Sequence, residues 1–461
     1  MECLDSQFAS GATATPAIGL HPRLAVHSRQ WERFVELLIC ASVVAGVVYS
    51  LNFRHGALHP LAVAATHHRW AALALKPSLI WFSMAMVLLS LRTLLWFRYR
   101  AFPAADHQNA PRLTVIIPAY NEGAMVARTI ESCATCNYPR DRLEIIVVDD
   151  GSKDDTWDHI ESAARPYPGV VRPIRFASNQ GKRAALCAGF EKASGELVVT
   201  VDSDSVIESD TLLAIAGPFR DPKIGAVGGK VAVFNRFAGF LPRMLHVRYV
   251  LSFDFLRRAQ STYGTVYCCP GALSAYRLDV VKKVLPKWRN QTFLGARCTF
   301  GEDRALTNDI LALGYDAVYQ STAVVHTVVP QTYSKLCRMY LRWDRSYVRE
   351  ELRLARIVWS RRPVSLLLTV LEKTLTNLRY PISYITLAIV VALSVETPWV
   401  FVRMMIAVGV ASAFSMLYFL RGERSWEFVY GIAYSYFALF TLFWIFPCAI
   451  MTVRSRSWLT R

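Results

Sequence analysis

The chain has 461 residues, 53% of them hydrophobic, and a formal net charge of +17. This composition is too apolar for one ordinary soluble domain, so part of the chain is expected to lie in a lipid bilayer. Many basic residues lie beside apolar runs, where anionic headgroups are the expected partner, and nucleic acid is therefore not expected to bind. The ten cysteines show no metal-ligand spacing, which is typical of reduced cytosolic thiols.

The N-terminal part of the chain predicts two membrane helices. Residues 1–33 are expected to form a cytoplasmic segment, and residues 34–98 contain two apolar runs, the second interrupted only by Arg92. Each run is long enough to cross a hydrocarbon core of about 30 Å. Arg98 and Arg100 follow the second run and favour a cytoplasmic end there. A cleaved signal peptide is the alternative, but the first run starts far from the N-terminus and a second run follows.

A stretch of mixed charge, residues 111–350, follows with alternating strand and helix patterns. It is long enough for one α/β domain. The first aliphatic strand, 113–118, is followed by Tyr120 and Glu122, so polar groups collect at its carboxyl end. Ligands of open α/β sheets bind beyond these strand ends, and the pattern therefore predicts a binding crevice.

The second predicted strand, 143–148, runs into Asp149, Asp150 and a Gly-Ser turn. Taken alone, this turn fits a helix cap about as well as a binding site. Further on, a glycine turn precedes Lys182 and Arg183 at the start of a predicted helix, where a phosphate could bind. A solvated helix cap is the alternative at that position.

The third predicted strand, 196–201, ends at Asp202, Ser203 and Asp204 and gives the strongest local signal. At a spacing of two residues, both carboxylates project from one side of an extended chain. Such carboxylates repel each other unless a cation lies near them, and hard oxygen ligands favour Mg²⁺ or Mn²⁺ bridging a diphosphate. The sequence therefore predicts a divalent metal site that uses both aspartates.

Two more motifs lie near the end of the domain. Glu302 and Asp303 open a predicted helix, whose dipole is expected to keep a carboxylate ionised, as a general base requires. Later, Arg342 and Trp343 could neutralise a diphosphate and pack against a sugar ring. The alternative for this last motif is an interfacial helix that anchors among lipid headgroups.

The chain then turns apolar again. Residues 351–380, which include Glu372 and Lys373, are expected to form interfacial amphipathic helices. Residues 381–453 predict C-terminal transmembrane helices, and residues 454–461 form a basic tail. Five crossings from a cytoplasmic N-terminus would leave this tail outside, against the positive-inside rule, so a re-entrant segment is the alternative to a fifth crossing.

Together these motifs resemble those of the family 2 glycosyltransferases, and within them the processive membrane synthases, over residues 111–350 and the flanking segments. Four family motifs are intact: Pro-x-Tyr-Asn-Glu, Asp-Asp-Gly-Ser, Asp-x-Asp and Gly-Glu-Asp-Arg. The fifth, Gln-x-x-Arg-Trp, departs at its first position, which is Met339 here. The resemblance implies a GT-A fold, a nucleotide-sugar-binding α/β domain in the cytoplasm, inserted between N- and C-terminal transmembrane helices of the cell membrane.

The resemblance also implies roles for individual residues. Asp303 would be the general base, with Arg304 in the same catalytic turn, and Asp204 would hold the metal ion. The donor nucleotide sugar would be bound by Tyr120, Glu122, Asp150, Lys182, Asp202, Arg342 and Trp343. The growing acceptor would be bound by Cys269, Gly271 and Trp343.

Finer features, such as Cys-x-Gly-x-Leu-Ser-x-Tyr-Arg over residues 269–277 and the last four residues 458–461, are most similar to hyaluronan synthases. The resemblance therefore implies an inverting, processive enzyme that polymerises UDP-GlcNAc and UDP-GlcA and exports the polysaccharide. Its partners would be UDP-sugar donors, the growing polysaccharide and membrane lipid. Rhizobial chitooligosaccharide synthases share much of the pattern, including residues 300–304, and are one alternative. A non-processive, lipid-directed glycosyltransferase is another.

Overall fold

The computed structural model describes residues 29–51 and 69–455 of the chain. The predictions made for residues 1–28, for the link 52–68 between the two N-terminal apolar runs, and for the tail 456–461 lie outside the described residues. Within the described ranges, a mixed sheet with helices packed against it lies between long helices at either end.

Ten strands are described. In chain order they are β1 (Leu113–Ala119), β2 (Leu143–Asp149), β3 (Val171–Arg175), β4 (Leu197–Val201), β5 (Ser205–Ile207), β6 (Ile224–Val233), β7 (Leu273–Arg277), β8 (Thr292–Phe293), β9 (Ala296–Arg297) and β10 (Asp316–Thr327). Strands β8 and β9 form a separate hairpin, and the other eight form one sheet in the order β3-β2-β1-β4-β7-β6-β10-β5. The predicted α/β fold is confirmed.

The pairing of the first strands places their carboxyl ends on one edge of the sheet. Strand β1 pairs in parallel with both β2 and β4, and Ala119 at the end of β1 lies opposite Asp149 at the end of β2. Strand β7 runs antiparallel between β4 and β6. All seven residues of β1 are buried, as expected for a continuous aliphatic strand covered on both faces. The three acidic turns predicted from the sequence therefore lie along the same edge.

Fourteen helices longer than one turn are described. In chain order they are α1 (Arg29–Leu51), α2 (Arg69–Arg98), α3 (Met125–Ala134), α4 (Thr156–Ala164), α5 (Lys182–Lys192), α6 (Thr211–Ala216), α7 (Phe240–Val250), α8 (Leu278–Arg289), α9 (Glu302–Ala312), α10 (Tyr333–Ile357), α11 (Pro363–Glu396), α12 (Trp399–Gly422), α13 (Phe428–Phe437) and α14 (Ile445–Met451). A π-helical turn, Leu251–Arg257, and the short helix Arg258–Ser261 follow α7, and a second π-helical turn, Ala438–Leu442, follows α13.

Two of the described helices, α11 and α12, are long and apolar enough to cross a membrane. Helix α13 with its π-helical turn and α14 form a pair bent by 45°, which would make a third crossing if the pair is one span. Helix α11 is continuous through Pro381, so the boundary predicted at residue 380 falls inside one helix. Crossing by α1 and α2 stays a prediction.

Helix α2 connects the α/β domain to the C-terminal helices. The indole Nε1 of Trp96 donates to the carbonyl of Asp254, in the π-helical turn after α7, at 2.7 Å. One turn earlier, the hydroxyls of Thr93 and Tyr418, on α12, are hydrogen-bonded at 2.7 Å. Both contacts are buried, and they hold the domain against α2 and α12.

A buried carboxylate holds α10 on α9. Glu350, on α10, accepts hydrogen bonds from Arg349 Nε at 3.0 Å and from Arg353 at 2.6 Å, and its own side chain is fully buried. It also accepts from Gln291 Nε2 at 2.6 Å and Asn308 Nδ2 at 3.1 Å. Because every one of these donors converges on one carboxylate, its charge is balanced by two arginines and its lone pairs are satisfied.

Replacing Glu350 with glutamine is expected to destabilise the protein by about 3–5 kcal/mol, because two arginines lose their shared counter-charge in a buried site. Glu191→Gln is the matched control, since Glu191 and its partner Arg289 are both about half-exposed and such pairs contribute ~0.5 kcal/mol. Thermal unfolding of the purified protein in detergent measures both. Equal shifts in melting temperature would contradict the role assigned to Glu350.

Candidate active site

The turn after β1 is tied to the turns after β2 and β4. The N–H of Glu122 donates to Thr156 Oγ1 at 2.8 Å. Its carboxylate Oε1 accepts from Ser203 Oγ at 3.0 Å, and Ser203 lies in the turn that follows β4. Tyr120 lies in the same turn as Glu122 and is partly exposed. The first predicted motif is therefore part of the crevice.

The two aspartates after β2 have different partners. Asp149 is fully buried and accepts from the N–H of Ser152 at 3.0 Å, so it stabilises its own turn. Asp150 accepts from the N–H groups of Gln180 at 2.7 Å and Gly181 at 2.8 Å, immediately before α5. Burial raises the pKa of Asp150 above its ordinary value, although these two N–H groups act in the opposite direction. Neither aspartate therefore caps the helix that follows, whose N-cap residue is Asp155; Asp149 stabilises its own turn, whereas Asp150 orients the start of α5.

Lys182, the first residue of α5, lies between two carboxylates. Its Nζ is 2.5 Å from Asp202 Oδ1 and 3.3 Å from Glu302 Oε1. Burial lowers the pKa of Lys182, but the two carboxylates raise it by more, so the net pKa lies above its ordinary value and the side chain is a permanent cation. Gly271 is close to this pair, because a Cβ atom there would lie 3.3 Å from the ammonium nitrogen.

Arg183 does not join this cluster of charges, which corrects the prediction that two cations lie at a phosphate site. Its side chain is buried, and one guanidinium nitrogen donates to the carbonyl of Trp288 at 2.5 Å. The guanidinium also lies over the Trp288 ring at 4.9 Å from the centroid. Successive residues of a helix project about 100° apart, so Lys182 and Arg183 face different surroundings.

Asp202 and Asp204 also have different partners. Asp202 pairs with Lys182, as described above, whereas Asp204 Oδ1 accepts from Ser205 Oγ at 3.2 Å and Thr327 Oγ1 at 3.3 Å. A carboxylate flanked by hydroxyl groups offers hard oxygen ligands of the kind that Mg²⁺ and Mn²⁺ prefer. The residues around Asp204 therefore fit such an ion, with further oxygens to be supplied by a bound diphosphate.

In the part of the chain that the structure describes, one group of three metal-ligating side chains is close enough together to share an ion. This group lies away from Asp204. It consists of His246, Glu423 and Glu427. His246 Nε2 is 2.8 Å from Glu423 Oε2, and Arg236 lies 3.9 Å from both glutamates. Arg236 offsets part of the charge of these carboxylates, and the group acts as a polar bridge from α7 and the segment before it to the loop from α12 to α13.

Asp303 is the second residue of α9 and carries a raised pKa. Burial raises the pKa first, and the neighbouring Glu302 carboxylate raises it further. The N–H of Arg304 donates to Asp303 Oδ1 at 2.7 Å and acts in the opposite direction, but does not offset both effects. Burial and a like charge thus act against the expected effect of the helix dipole, and the ionised state that a general base requires stays a prediction.

The segment before β7 supplies two hydrogen-bond donors to Asp303. The thiol of Cys268 donates to Asp303 Oδ2 at 3.5 Å, and the N–H of Gly271 donates to the same oxygen at 3.3 Å. Burial and the Asp303 carboxylate raise the pKa of the Cys268 thiol, which therefore stays protonated. Cys269, the predicted acceptor contact, is fully buried, and its N–H donates to Thr307 Oγ1 at 3.1 Å.

Helix α10 presses against the turn that begins α9. Gly301 has φ +73°, and a Cβ atom there would collide with the side chains of Ser346 and Arg349. A guanidinium nitrogen of Arg349 donates to the carbonyl of Phe300 at 2.6 Å. The turn thus requires glycine for both its backbone conformation and the close contact with α10.

The Arg-Trp motif lies on α10, facing the same turn. The positive charge of Arg342 lowers the pKa of Glu302, after the larger contribution of Lys182. Trp343 is 41% exposed, and its ring contacts that of Tyr340 in an edge-to-face arrangement at 5.6 Å. Met339 lies one turn earlier on α10 and packs into an apolar cluster with Leu245 and other side chains. The departure from the family motif therefore lies in a packing position.

The structure thus brings together four of the predicted residues, which are Lys182, Asp202, Gly271 and Asp303. A small cavity is lined by Lys182, Gly271, Glu302 and Asp303, together with apolar side chains. Glu302 and Cys268 were not assigned roles from the sequence. The acidic pair at the start of α9 was the available signal for Glu302, whereas nothing in the sequence distinguishes Cys268 from Cys269.

Comparison with known proteins gives consistent findings. Residues 114–285 match the family described as glycosyl transferase family 2. An N-acetylglucosaminyltransferase from Azorhizobium caulinodans is 31% identical over 354 residues, which cover 76% of this chain and 87% of that protein. A hyaluronan synthase from Streptococcus pyogenes is 34% identical over 281 residues, which cover 60% of this chain and 66% of that protein.

A solved structure has the same fold. It is a mannosyltransferase from Pyrobaculum calidifontis in complex with GDP-Man and Mn²⁺, and it aligns with a TM-score of 0.54 and 21% sequence identity. The alignment covers 82% of this chain and 99% of the mannosyltransferase. This likeness, with the mixed sheet described above, confirms the predicted GT-A fold.

Gly301→Ala is expected to destabilise the protein by about 1–3 kcal/mol from backbone strain, with a further loss from the collision with Ser346. Gly314→Ala is the matched control, because Gly314 has φ +87° but no atom within 4 Å of the added Cβ, so it reports the backbone strain alone. Thermal unfolding of the two variants separates these contributions. Equal losses of stability in Gly301→Ala and Gly314→Ala would contradict the close contact between α10 and the turn.

Proposed function

This chain belongs to the family 2 glycosyltransferases, and from that premise we propose that it is an inverting, processive enzyme that polymerises UDP-sugars at a membrane. The observation that supports this most directly is the arrangement around Asp303. A half-buried carboxylate with a raised pKa lies beside the Lys182–Asp202 pair, in a cleft open at the carboxyl ends of the strands. A base and a cationic site for a phosphate-bearing donor are therefore next to each other.

In the proposed reaction, Asp303 accepts the proton of an acceptor hydroxyl while that oxygen attacks the anomeric carbon of the donor sugar. The bond from the anomeric carbon to the phosphate oxygen breaks, and UDP leaves on the opposite side, so the configuration inverts. The raised pKa of Asp303 makes the carboxylate a stronger base than an exposed aspartate.

The donor would be held by residues at the strand ends. Tyr120, Glu122 and Asp150 are proposed to surround the uridine, and the last two are tied into the crevice by hydrogen bonds. Lys182 and Asp202 are proposed to flank the sugar and its phosphates. Lys182 is a partly buried cation, so water screens its charge less than that of an exposed lysine when it balances phosphate charge.

Asp204 is proposed to hold Mg²⁺ or Mn²⁺, with the hydroxyls of Ser205 and Thr327 next to it. Such an ion would neutralise charge that develops on the leaving diphosphate. The side chain of Asp204 is oriented by these hydroxyl donors, which favours one fixed ligand geometry.

The acceptor side of the cleft would be formed by α10 and the segment before β7. Trp343 is proposed to pack against a sugar ring, because its indole is exposed and held in place by Tyr340. Arg342 would contribute positive charge near the leaving group. Arg304 would support Asp303, and Gly271 would contact the acceptor through its backbone, whereas Cys269 would act only by supporting this segment.

We propose hyaluronan as the polymer, made from UDP-GlcNAc and UDP-GlcA, because the finer motifs resemble hyaluronan synthases and one such relative is 34% identical. A chitooligosaccharide made from UDP-GlcNAc alone is the second candidate, and the Azorhizobium caulinodans relative favours it. Either product would be assembled in the cytoplasm and exported through the membrane helices of a multi-pass protein in the cell membrane, where lipid surrounds α11 and α12.

Purified protein incubated with UDP-GlcNAc alone, with UDP-GlcA alone and with both separates these candidates. A long polymer that forms only with both donors and is degraded by a hyaluronan lyase supports the first candidate. A product from UDP-GlcNAc alone that is degraded by a chitinase supports the second. Addition of a single sugar to a lipid would refute processive synthesis.

Asp303→Asn is expected to reduce the transfer rate by at least about a thousandfold, because the variant lacks the proton acceptor. Donor binding should change less than about threefold, since the Lys182–Asp202 pair is intact. Turnover is measured by UDP release, and donor affinity by equilibrium binding. Wild-type turnover in this variant would exclude Asp303 as the base.

The pH dependence of transfer follows from the raised pKa of Asp303. The base is active only when deprotonated, so activity is lost as pH falls through this raised pKa. Glu302→Gln removes a like charge, lowers the pKa of Asp303 and should move the acid limb of kcat to lower pH. The exposed Glu191→Gln should leave that limb unchanged. A shift to higher pH in Glu302→Gln would contradict the proposed electrostatics.

A further inference from the structure

A buried carboxylate on helix α11, Glu372, binds groups from two other parts of the chain. Its Oε1 accepts from Arg92 Nε at 3.0 Å and from a terminal nitrogen of Arg92 at 2.7 Å. Its Oε2 accepts from the hydroxyl of Tyr267 at 2.8 Å and from that of Tyr263. Glu372 is 5% exposed. A buried charge with this many donors is fixed in position, because any movement would leave it unpaired.

The two tyrosines begin a segment that we call the strap, residues 263–271. Their hydroxyl oxygens lie 2.8 Å apart, and Ser365, also on α11, donates to the carbonyl of Tyr263 at 2.6 Å. One end of the strap is thus attached to α11 through both side chain and backbone. Both tyrosine side chains are buried, which leaves few alternative rotamers.

The other end of the strap contacts the base. Cys268, directly after Tyr267, donates its thiol to Asp303 Oδ2, and the N–H of Gly271 donates to the same atom. A displacement of Tyr267 must therefore displace the thiol, because the two residues share a planar peptide bond. Glu372 and Asp303 are joined by this short path across the strap.

The next residue of α11 fixes the opposite side of the catalytic turn. Lys373 lies over the ring of Tyr267 at 4.1 Å and pairs with Glu351. Glu351 in turn lies 3.9 Å from Arg304, which follows Asp303. Two successive residues of one helix thus reach both sides of the turn that carries the base.

We propose that Glu372 is a positioning residue for Asp303. Through the hydroxyls of Tyr263 and Tyr267 it holds the strap so that the Cys268 thiol and the Gly271 N–H stay within hydrogen-bonding distance of the base. The inference rests on the proposed function, because it requires Asp303 to be the proton acceptor. It makes a helix that can cross the membrane part of the apparatus that sets the basicity of the catalytic carboxylate.

The strap is one of several groups that face Asp303. Glu302 and Arg304 lie beside it on α9, and Lys182 faces it from α5. Tyr276 faces it from β7, and Cys268 and Cys269 face it from the strap. The strap donors stabilise the ionised carboxylate, so their loss raises its pKa. The other groups lie outside the strap and keep their places when its anchor is removed.

The test uses the full-length protein with Glu372→Gln and Tyr267→Phe. Tyr267→Phe removes one hydroxyl but keeps the ring beneath Lys373, so it isolates the contact with Glu372. Each variant should move the acid limb of the kcat–pH profile to higher pH. At pH values below the midpoint of the wild-type profile, kcat should fall about three- to tenfold. On the plateau at higher pH, kcat should fall less than about twofold. The KM for the donor should not change, because Lys182 and Asp202 are not affected.

Ser394→Ala is the matched control on the same helix, because the hydroxyl of Ser394 bonds only the carbonyl of Val390 one turn earlier. It should leave the acid limb in place. The double variant Glu372→Gln/Tyr267→Phe should shift the limb no further than the larger of the two single shifts, since both remove the same contact.

A uniform loss of rate at every pH, with the acid limb unmoved in Tyr267→Phe, would overturn the positioning role and leave Glu372 a structural residue. This result is meaningful even when Glu372→Gln fails to fold, because Tyr267→Phe removes a single oxygen. Failure of the proposed function is seen separately, as turnover by Asp303→Asn. An inactive Asp303→Asn with an unmoved limb in Tyr267→Phe rejects only the inference about Glu372.

Discussion

The candidate active site depends on one partly buried ammonium group. Lys182 lies between Asp202 and Glu302, and without it two carboxylates would face each other in a site that is shielded from water. Because the ammonium stabilises the charge of Glu302, the adjacent Asp303 is left with a like-charged neighbour and a raised pKa. A single ion pair thus makes two successive carboxylates chemically different: the pKa of Glu302 is lowered, and that of Asp303, the proposed base, is raised.

Local features of the site could be predicted from the sequence. An aliphatic run followed by aspartates at 149–150 and 202–204 identified two strand ends, because a buried parallel strand must end where polar residues begin. The start of α9 was also predictable, since Gly301 followed by two acidic residues is typical of a helix N-terminus. These signals depend only on neighbours in the chain, and the predicted ends of β1, β2 and β4 and the start of α9 agree with the structure to within one residue.

Features that depend on contacts between distant elements could not be predicted. Lys182 and Arg183 are both cations at the same helix start, and only the position of Trp288 shows that Arg183 is buried elsewhere. The burial that reverses the effect of the helix dipole on Asp303 comes from several elements packed together. Glu372 lies more than a hundred residues from Tyr267, and the sequence indicated for it only an interfacial amphipathic helix.

The polar bridge of His246, Glu423, Glu427 and Arg236 has a consequence for how a product can advance. It attaches the loop between α12 and α13 to the α/β domain. Rotation of the domain about that loop would expose or separate four charged or polar groups that are mostly buried. The domain is thereby held at a fixed tilt against the helices. In the proposed polymerisation, each addition of a sugar is then accommodated by small rearrangements inside the cleft rather than by rotation of the whole domain.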